Sequence, residues 1–299
     1  MSKYRNYFFN DSIVAPSRIN RPMVGKQNEA CPFCKENEKE LEVIYDEVWE
    51  GEKLLVRILA NKYPVIPIQG DYAGLHDVII DTANHWEHPK DFSPEHWQVL
   101  LLTMQKRWQQ LSKNEKIVFI QIFKNHGSLA GASIYHSHWQ LVAMTKIPYG
   151  MISQYEKYQK QKESPCFLCE RNHLKEAILI KETSLWRLII PPNPEFNYEI
   201  WLVPKSHRQH FGELVQKEVV ELGNLLKQLL MVYDILLPEG AFNICMMSGD
   251  LRGEWQYHFH IKLMMRIGHI AGFEIATHCH ILMIDREQYA LRIKQLLQG

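Results

Sequence analysis

The chain has 299 residues, 46% of them hydrophobic, and its 34 Lys and Arg balance 34 Asp and Glu. This length supports one large domain or two smaller ones, and the neutral balance excludes a global field that would draw the protein to nucleic acid or an anionic membrane. No run of about 18 apolar residues occurs, so no membrane span is expected.

The opening segment, MSKYRNYFFNDSIVAP, lacks the apolar block and cleavage site of a secretory signal, which makes the cytoplasm the expected compartment. The six cysteines then need a use other than disulfides. Cys31-Pro32-Phe33-Cys34 is the first CxxC pair, and Cys166-Phe167-Leu168-Cys169 the second. A redox CxxC opens a helix after a strand in a βαβ unit, and neither pair has that context. Zinc is the better use, because each pair offers two soft ligands with histidines downstream. Cys245 and Cys279 stand alone in apolar stretches and read as buried thiols.

After the first pair, His76–Ile80 (HDVII) reads as a strand leading towards His85. Ser93 caps a helix that Pro94 starts, with Trp97, Leu100, Leu101, Met104, Trp108 and Leu111 on one face. Then comes NHGSLAGASIYHSHWQ (Asn125–Gln140), a small-residue run before two histidines. Its glycine turn, including Gly131, can present backbone N–H groups to phosphate oxygens. The strand that follows points His136, His138 and Gln140 to one side. An anion cradle beside imidazoles suggests phosphoryl chemistry with histidine as the attacking group.

The polar stretch Gln154–Ser164 reads as a connection. Beyond it lie a strand at Tyr198–Leu202 and a helix from about Glu213 to Leu236, with Leu222, Leu225, Leu226, Leu229 and Leu230 as its buried stripe. The loop SGDLRGEW precedes His258 and His260, and a closing helix is expected from about Arg286 to Leu297.

The histidines repeat. His85 and His207, His136 and His258, and His138 and His260 are each 122 positions apart (207 − 85, 258 − 136, 260 − 138), as are Gly127 and Gly249. The CxxC pairs are 166 − 31 = 135 apart, which one insertion explains. The chain therefore reads as two copies of one supersecondary unit, residues 1–150 and 151–299. Each copy runs CxxC, strand, helix, strand, glycine turn, HxH strand. The expected fold class is α+β, with antiparallel sheets and packed helices.

The repeat also sorts the metal ligands. Cys31, Cys34, His85 and His136 make one Cys2His2 set, and Cys166, Cys169, His207 and His258 make another, so two closed structural zinc sites are expected. His138 and His260 are left over. His138 is followed by Gln140 and preceded by the small-residue loop, whereas His260 is followed by Lys262. The active group is therefore expected at His138.

These motifs together resemble the galactose-1-phosphate uridylyltransferase family of the histidine-triad superfamily, including its ADP-glucose phosphorylase branch. VAPSRINRP (Val14–Pro22), CPFC, ANKYP (Ala60–Pro64), GLHDVII (Gly74–Ile80), FKNHGSLAGASIYHSHWQ and YHFHIKLMMRIGHIAGFEIATHCHI carry the likeness over nearly the whole chain. The resemblance implies tandem histidine-triad-like units in which His138 is the nucleophile that accepts a nucleoside monophosphate. It implies that Gln140 hydrogen-bonds the phosphoryl oxygens, that Ser133 and the loop N–H groups stabilise charge, that Arg18 and Arg21 contact the diphosphate, and that Asn61 and Asn125 contact nucleotide or phosphate. It makes the second zinc set a feature of the phosphorylase branch, and it implies a homodimer that completes the sugar pocket.

Departures from the family pattern are Ser137 for the proline between the histidines, Lys262 for glutamate, Met264 and Met265 within the proline–arginine end, Ala276-Thr277-His278 for G-T-G, and Leu282 for asparagine. Most lie where the family binds the sugar. The expected activity is transfer of a nucleoside monophosphate between a nucleotide sugar and a sugar 1-phosphate or phosphate, by double displacement. Hydrolysis through the same histidine, or zinc-stapled nucleotide binding without turnover, are the alternatives.

Overall fold

A computed structural model of the chain describes residues 11–21, 31–70, 72–159, 166, 168–169, 176–253 and 257–298. Pro22 of the opening motif, residues 160–164 of the polar connection, and Glu254 and Trp255 of the second-copy loop lie outside them. The strands are β1 (Ile44–Glu50), β2 (Lys53–Ala60), β3 (Gly74–Ile80), β4 (Phe119–His126), β5 (His138–Met144), β6 (Ile178–Glu182), β7 (Trp186–Ile190), β8 (Ile200–Pro204), β9 (Ala241–Met247) and β10 (His260–Arg266). The helices are α1 (Pro94–Ser112), α2 (Tyr149–Gln159), α3 (Gln216–Leu236), α4 (Gly272–Thr277) and α5 (Arg286–Leu296). The fold is α+β.

Among the described residues ten strands form one antiparallel sheet in the order β1-β2-β3-β5-β4-β9-β10-β8-β7-β6. Each half of the chain contributes five strands in mirrored order, and the halves meet where β4 pairs with β9. The offset of 122 recurs in the elements themselves: α3 starts 216 − 94 positions after α1, β9 starts 241 − 119 after β4, and β10 starts 260 − 138 after β5. One buried cluster runs through both halves, so the two units share a sheet and a core.

Strand alternation separates two faces. Along β5, Trp139, Leu141 and Ala143 enter the large core beneath α1 and α3, whereas His138, Gln140 and Val142 face the other way. Helix α1 begins as its sequence dictates: the Ser93 hydroxyl accepts the His96 N–H at 3.1 Å, and Pro94 occupies the first turn. Its six expected apolar residues are all buried. Gly223 lies inside α3, where glycine costs about 1 kcal/mol against alanine. It is there because a Cβ would stand 2.9 Å from that of Trp97, where α3 packs against α1.

Several expectations need correction. A β1–β2 hairpin, turning at Gly51 with φ of 59°, stands between the first CxxC and β3. The second-copy strand starts at Ile200 rather than Tyr198, whose φ of 55° is incompatible with a strand. Residues Phe211–Glu213 form a 3-10 turn, and α3 starts only at Gln216. The first part of the supposed connection, 154–159, belongs to α2, which buries Met151 and Tyr155 one turn apart. His136 precedes β5 rather than lying in it. Cys279 is exposed and Cys245 only partly buried, so neither is a fully buried thiol.

Candidate active site and metal centres

The two Cys2His2 sets form. Cys31, Cys34, His85 and His136 converge with their ligand atoms within 4.8 Å of one another, and so do Cys166, Cys169, His207 and His258. In the first set the Cys34 sulfur lies 3.3 Å from His85 Nδ1 and 3.6 Å from His136 Nδ1. In the second, the Cys169 sulfur lies 3.3 Å from Nδ1 of both His207 and His258.

The imidazole tautomers suit a metal. His136 Nε2 donates to the Thr82 carbonyl at 2.8 Å, and His258 Nε2 donates to the Pro204 carbonyl at 2.9 Å. Each bond leaves Nδ1 bare and aimed at the thiols, the usual outer-shell device for orienting a histidine ligand. Burial, then the neighbouring Cys31, pushes the Cys34 thiol up to about 12. A bound cation reverses that balance. Two thiols and two bare imidazole nitrogens fit a soft, four-coordinate metal ion.

Next to the first set, β5 begins with His138. Its Nδ1 donates to the His136 carbonyl at 2.8 Å, so Nε2 carries the free lone pair. Among the described residues Nε2 makes no hydrogen bond, and the ring lines a cavity of about 350 Å³. Burial, with help from the nearby Lys124 cation, lowers the His138 pKa to about 4, which keeps the ring neutral. Phe33, carried between the two cysteines, meets the His138 ring edge-on at 5.3 Å.

The cavity gathers Arg21, Asn61, Ser133 and Gln140 with His138. Arg18 stands alongside, its guanidinium donating at 2.9 Å to the carbonyl of Tyr63, which also lines the cavity. The Arg21 guanidinium is lowered by burial and then by the Arg18 charge. An anionic ligand offsets two such neighbouring cations.

Two expected site residues stand apart. Asn125 lines a different cavity, of about 430 Å³, and its side chain accepts from Asn243 at 2.8 Å. Gly131 borders neither cavity. It serves the turn instead: Gly127 and Gly131 have φ of 79° and 80°, the left-handed region that glycine permits. The loop is also a poorer cradle than its composition suggests. The N–H groups of Ala130 and Ala132 donate to the Gly127 carbonyl, both at 3.2 Å, and Gly131 N–H to that of Ser128 at 2.9 Å.

Behind His138, on the helix side of the sheet, sits a buried cluster that the sequence reading missed. The Lys124 ammonium donates to Asp81 Oδ2 at 2.8 Å, Ser137 Oγ at 2.7 Å and the His138 carbonyl at 3.1 Å, which uses all three of its hydrogens. Burial would push the Asp81 carboxyl up, but the Lys124 ammonium and hydrogen bonds from Lys124 and Ser137 hold it below its ordinary value. The signal was Ser137 itself. Its hydroxyl replaces the proline's conformational restraint with a hydrogen bond.

The second copy shows the same backbone with a closed site. His260 Nδ1 donates to the His258 carbonyl at 3.0 Å, matching His138. Trp201 pairs with Lys262 where Val78 pairs with Gln140, and its ring stacks on His260 at 4.5 Å. Among the described residues His260 Nε2 is buried with no hydrogen-bond partner. Lys262 turns to Glu195 at 3.3 Å.

The sequence and the overall fold have known counterparts. The Arabidopsis thaliana ADP-glucose phosphorylase is 28% identical over 95% of this chain and 89% of its own length. The Thermotoga maritima galactose-1-phosphate uridylyltransferase is 25% identical over 95% and 94%. The chain is a relative of both enzymes. The crystal structure of an Arabidopsis ADP-glucose phosphorylase with bound ADP-glucose superposes with a TM-score of 0.81, at 28% identity over 94% of this chain and 93% of that one. A family model described as the N-terminal domain of a domain of unknown function (DUF4931) matches residues 14–147. Among the described residues no helix is long and apolar enough to cross a membrane.

Proposed function

We propose that the protein is a nucleotidyltransferase acting on a nucleotide sugar through a covalent nucleotidyl-histidine on His138. The observation that carries this is the bare Nε2 of His138 at the wall of the cavity, with Nδ1 tied to the carbonyl of a residue in the Cys2His2 set. Nε2 attacks the α-phosphorus and the sugar 1-phosphate leaves with the bonding electrons. An acceptor phosphate then attacks the same phosphorus, and the imidazole departs neutral. Gln140, Ser133, Arg18, Arg21 and Asn61 hold the phosphoryl and nucleotide groups, and positioning of this kind supplies much of the acceleration. Asn125 and Gly131 act on the ligand only through the shape of the loop.

The relation to ADP-glucose phosphorylase makes ADP-glucose with inorganic phosphate the first pair to test. Intact mass after incubation with ADP-glucose should show a gain of one AMP, and added phosphate should release ADP. A panel with UDP-glucose and galactose 1-phosphate identifies the base and the acceptor. Steady release of AMP without phosphate dependence points to hydrolysis. Binding without adduct or turnover overturns the transfer reading.

Residues 1–150 and 151–299 are duplicated units in this reading, with the chemistry in the first. Both Cys2His2 sets hold structural zinc; a filled four-ligand set leaves no position for substrate. Metal analysis of the tag-free protein should return two zinc ions per chain. Cys34→Ser should lose one and lower the Tm by about 10 °C, because metal binding is folding free energy. A chain without zinc contradicts the assignment. The thiolate sets suit the reducing cytoplasm, which cell fractionation tests.

The protein acts as a homodimer. Ile270, Phe273, Ile275, Ile281 and Met283 expose large apolar surface around α4, as an interface does. Sedimentation should give twice the chain mass for the wild type and the chain mass for Phe273→Asp. A monomeric wild type rules this out.

A further inference from the structure

One buried imidazole near the cavity has no task in either metal centre or in the transfer step. His76 is buried in β3, and its Nδ1 accepts the backbone N–H of Val65 at 3.0 Å. A backbone N–H can only donate, so Nδ1 is bare and the hydrogen of the neutral ring sits on Nε2. That nitrogen lies 3.1 Å from Gln140 Oε1, on the neighbouring strand β5.

The logic fixes the Gln140 carboxamide as well. An Nε2–H can meet only an acceptor, so the carbonyl end of Gln140 faces His76 and the NH2 end is left for the cavity that Gln140 lines. The Asn61 amide nitrogen, 3.2 Å from the same Nε2, also carries hydrogens and packs without bonding. Its carbonyl is taken by the Tyr63 N–H at 2.8 Å. Burial lowers the His76 pKa to about 4 and, despite the opposing Gln140 hydrogen bond, Arg18 and Arg21 also disfavour a charge there. The ring therefore stays neutral and keeps its Nε2–H.

We propose that His76 is a positioning residue for nucleotidyl transfer: its Nε2–H holds the Gln140 carbonyl, so that the amide hydrogens face the phosphoryl oxygens at His138. Freed from His76, the carboxamide can turn its carbonyl towards an anionic phosphoryl group, and attraction becomes repulsion. This rests on the nucleotidyl-transfer reading above.

The test is a double-mutant cycle on the zinc-loaded protein, read as the single-turnover rate of AMP adduct formation from ADP-glucose. His76→Phe keeps the bulk and removes both ring nitrogens. It should slow adduct formation by about 10- to 100-fold, the usual cost of losing an outer-shell partner, with KM nearly unchanged. His76→Gln, whose amide reaches the Nε2 position, should recover most of the rate. In a Gln140→Ala background His76→Phe should cost little more.

Losses that multiply in the double variant, or an effect confined to KM, overturn the role of His76 while leaving the transfer reading intact. A wild type that forms no adduct with any nucleotide sugar overturns both. Long-range 1H–15N spectra of the free protein add an arm independent of turnover: His76 should appear as the Nε2–H tautomer, and an Nδ1–H or cationic ring contradicts the proposal.

Discussion

Replacing His138 by glycine is expected to abolish the AMP adduct and to lower turnover by about three orders of magnitude or more, as the loss of a covalent nucleophile does. The fold should survive. Among the described residues the side chain makes one hydrogen bond, from Nδ1 to the His136 carbonyl, worth about 1 kcal/mol. The zinc content should stay at two, since His138 is in neither Cys2His2 set. The control is the same change in the second copy. His260→Gly removes an imidazole of matching backbone geometry, but one stacked under Trp201 with its Nε2 sealed off. It should cost stability through the lost stacking, and leave adduct formation close to wild type. Equal loss of activity from both changes, with zinc and fold intact, would falsify the assignment of chemistry to the first copy.

The second large effect is expected behind the active strand. Lys124→Met leaves the Asp81 carboxylate in the interior without its cation, and removes the donor from Ser137 and from the His138 carbonyl. Breaking a buried pair from one side costs about 3–5 kcal/mol, most of it the stranded charge. Urea unfolding of the zinc-loaded protein should show that loss. Adding Asp81→Leu should return much of it, because the penalty belongs to the unpaired partner and not to the missing attraction. Activity should not return with it, because the His138 carbonyl still lacks its donor. A single variant within about 1 kcal/mol of wild type would show that the cluster is already relaxed by water.

Much of this was legible in the chain. Helix α1 announces itself through Ser93, Pro94 and six apolar residues on one stripe, all local signals. The ligand sets were legible because the repeat assigns each CxxC its two histidines, and leaves His138 and His260 over. The β1–β2 hairpin is two strand-like runs around Gly51, and it carries none of the cysteines and histidines that mark the repeat. Helix α2 hid behind its Gln and Lys residues; Met151 and Tyr155, one turn apart, are its docking edge. Asn125 enters the expected site through the family resemblance and Gly131 through the glycine turn. Neither lines the cavity at His138: Asn125 on β4 accepts from Asn243 of the other half, and Gly131 serves the turn.

By itself the sequence determined much of the secondary structure around the motifs and the membership of the two Cys2His2 sets, and it nominated the duplication and His138 over His260, since each rests on residue type, spacing or local periodicity. Only the tertiary structure decided that the halves join edge to edge through β4 and β9 into one sheet, that Trp201 closes the second site, and that Lys124 and His76 are engaged with the active strand. The reason is physical. Those facts depend on which buried polar groups from distant segments satisfy one another, and burial is a property of the packed whole.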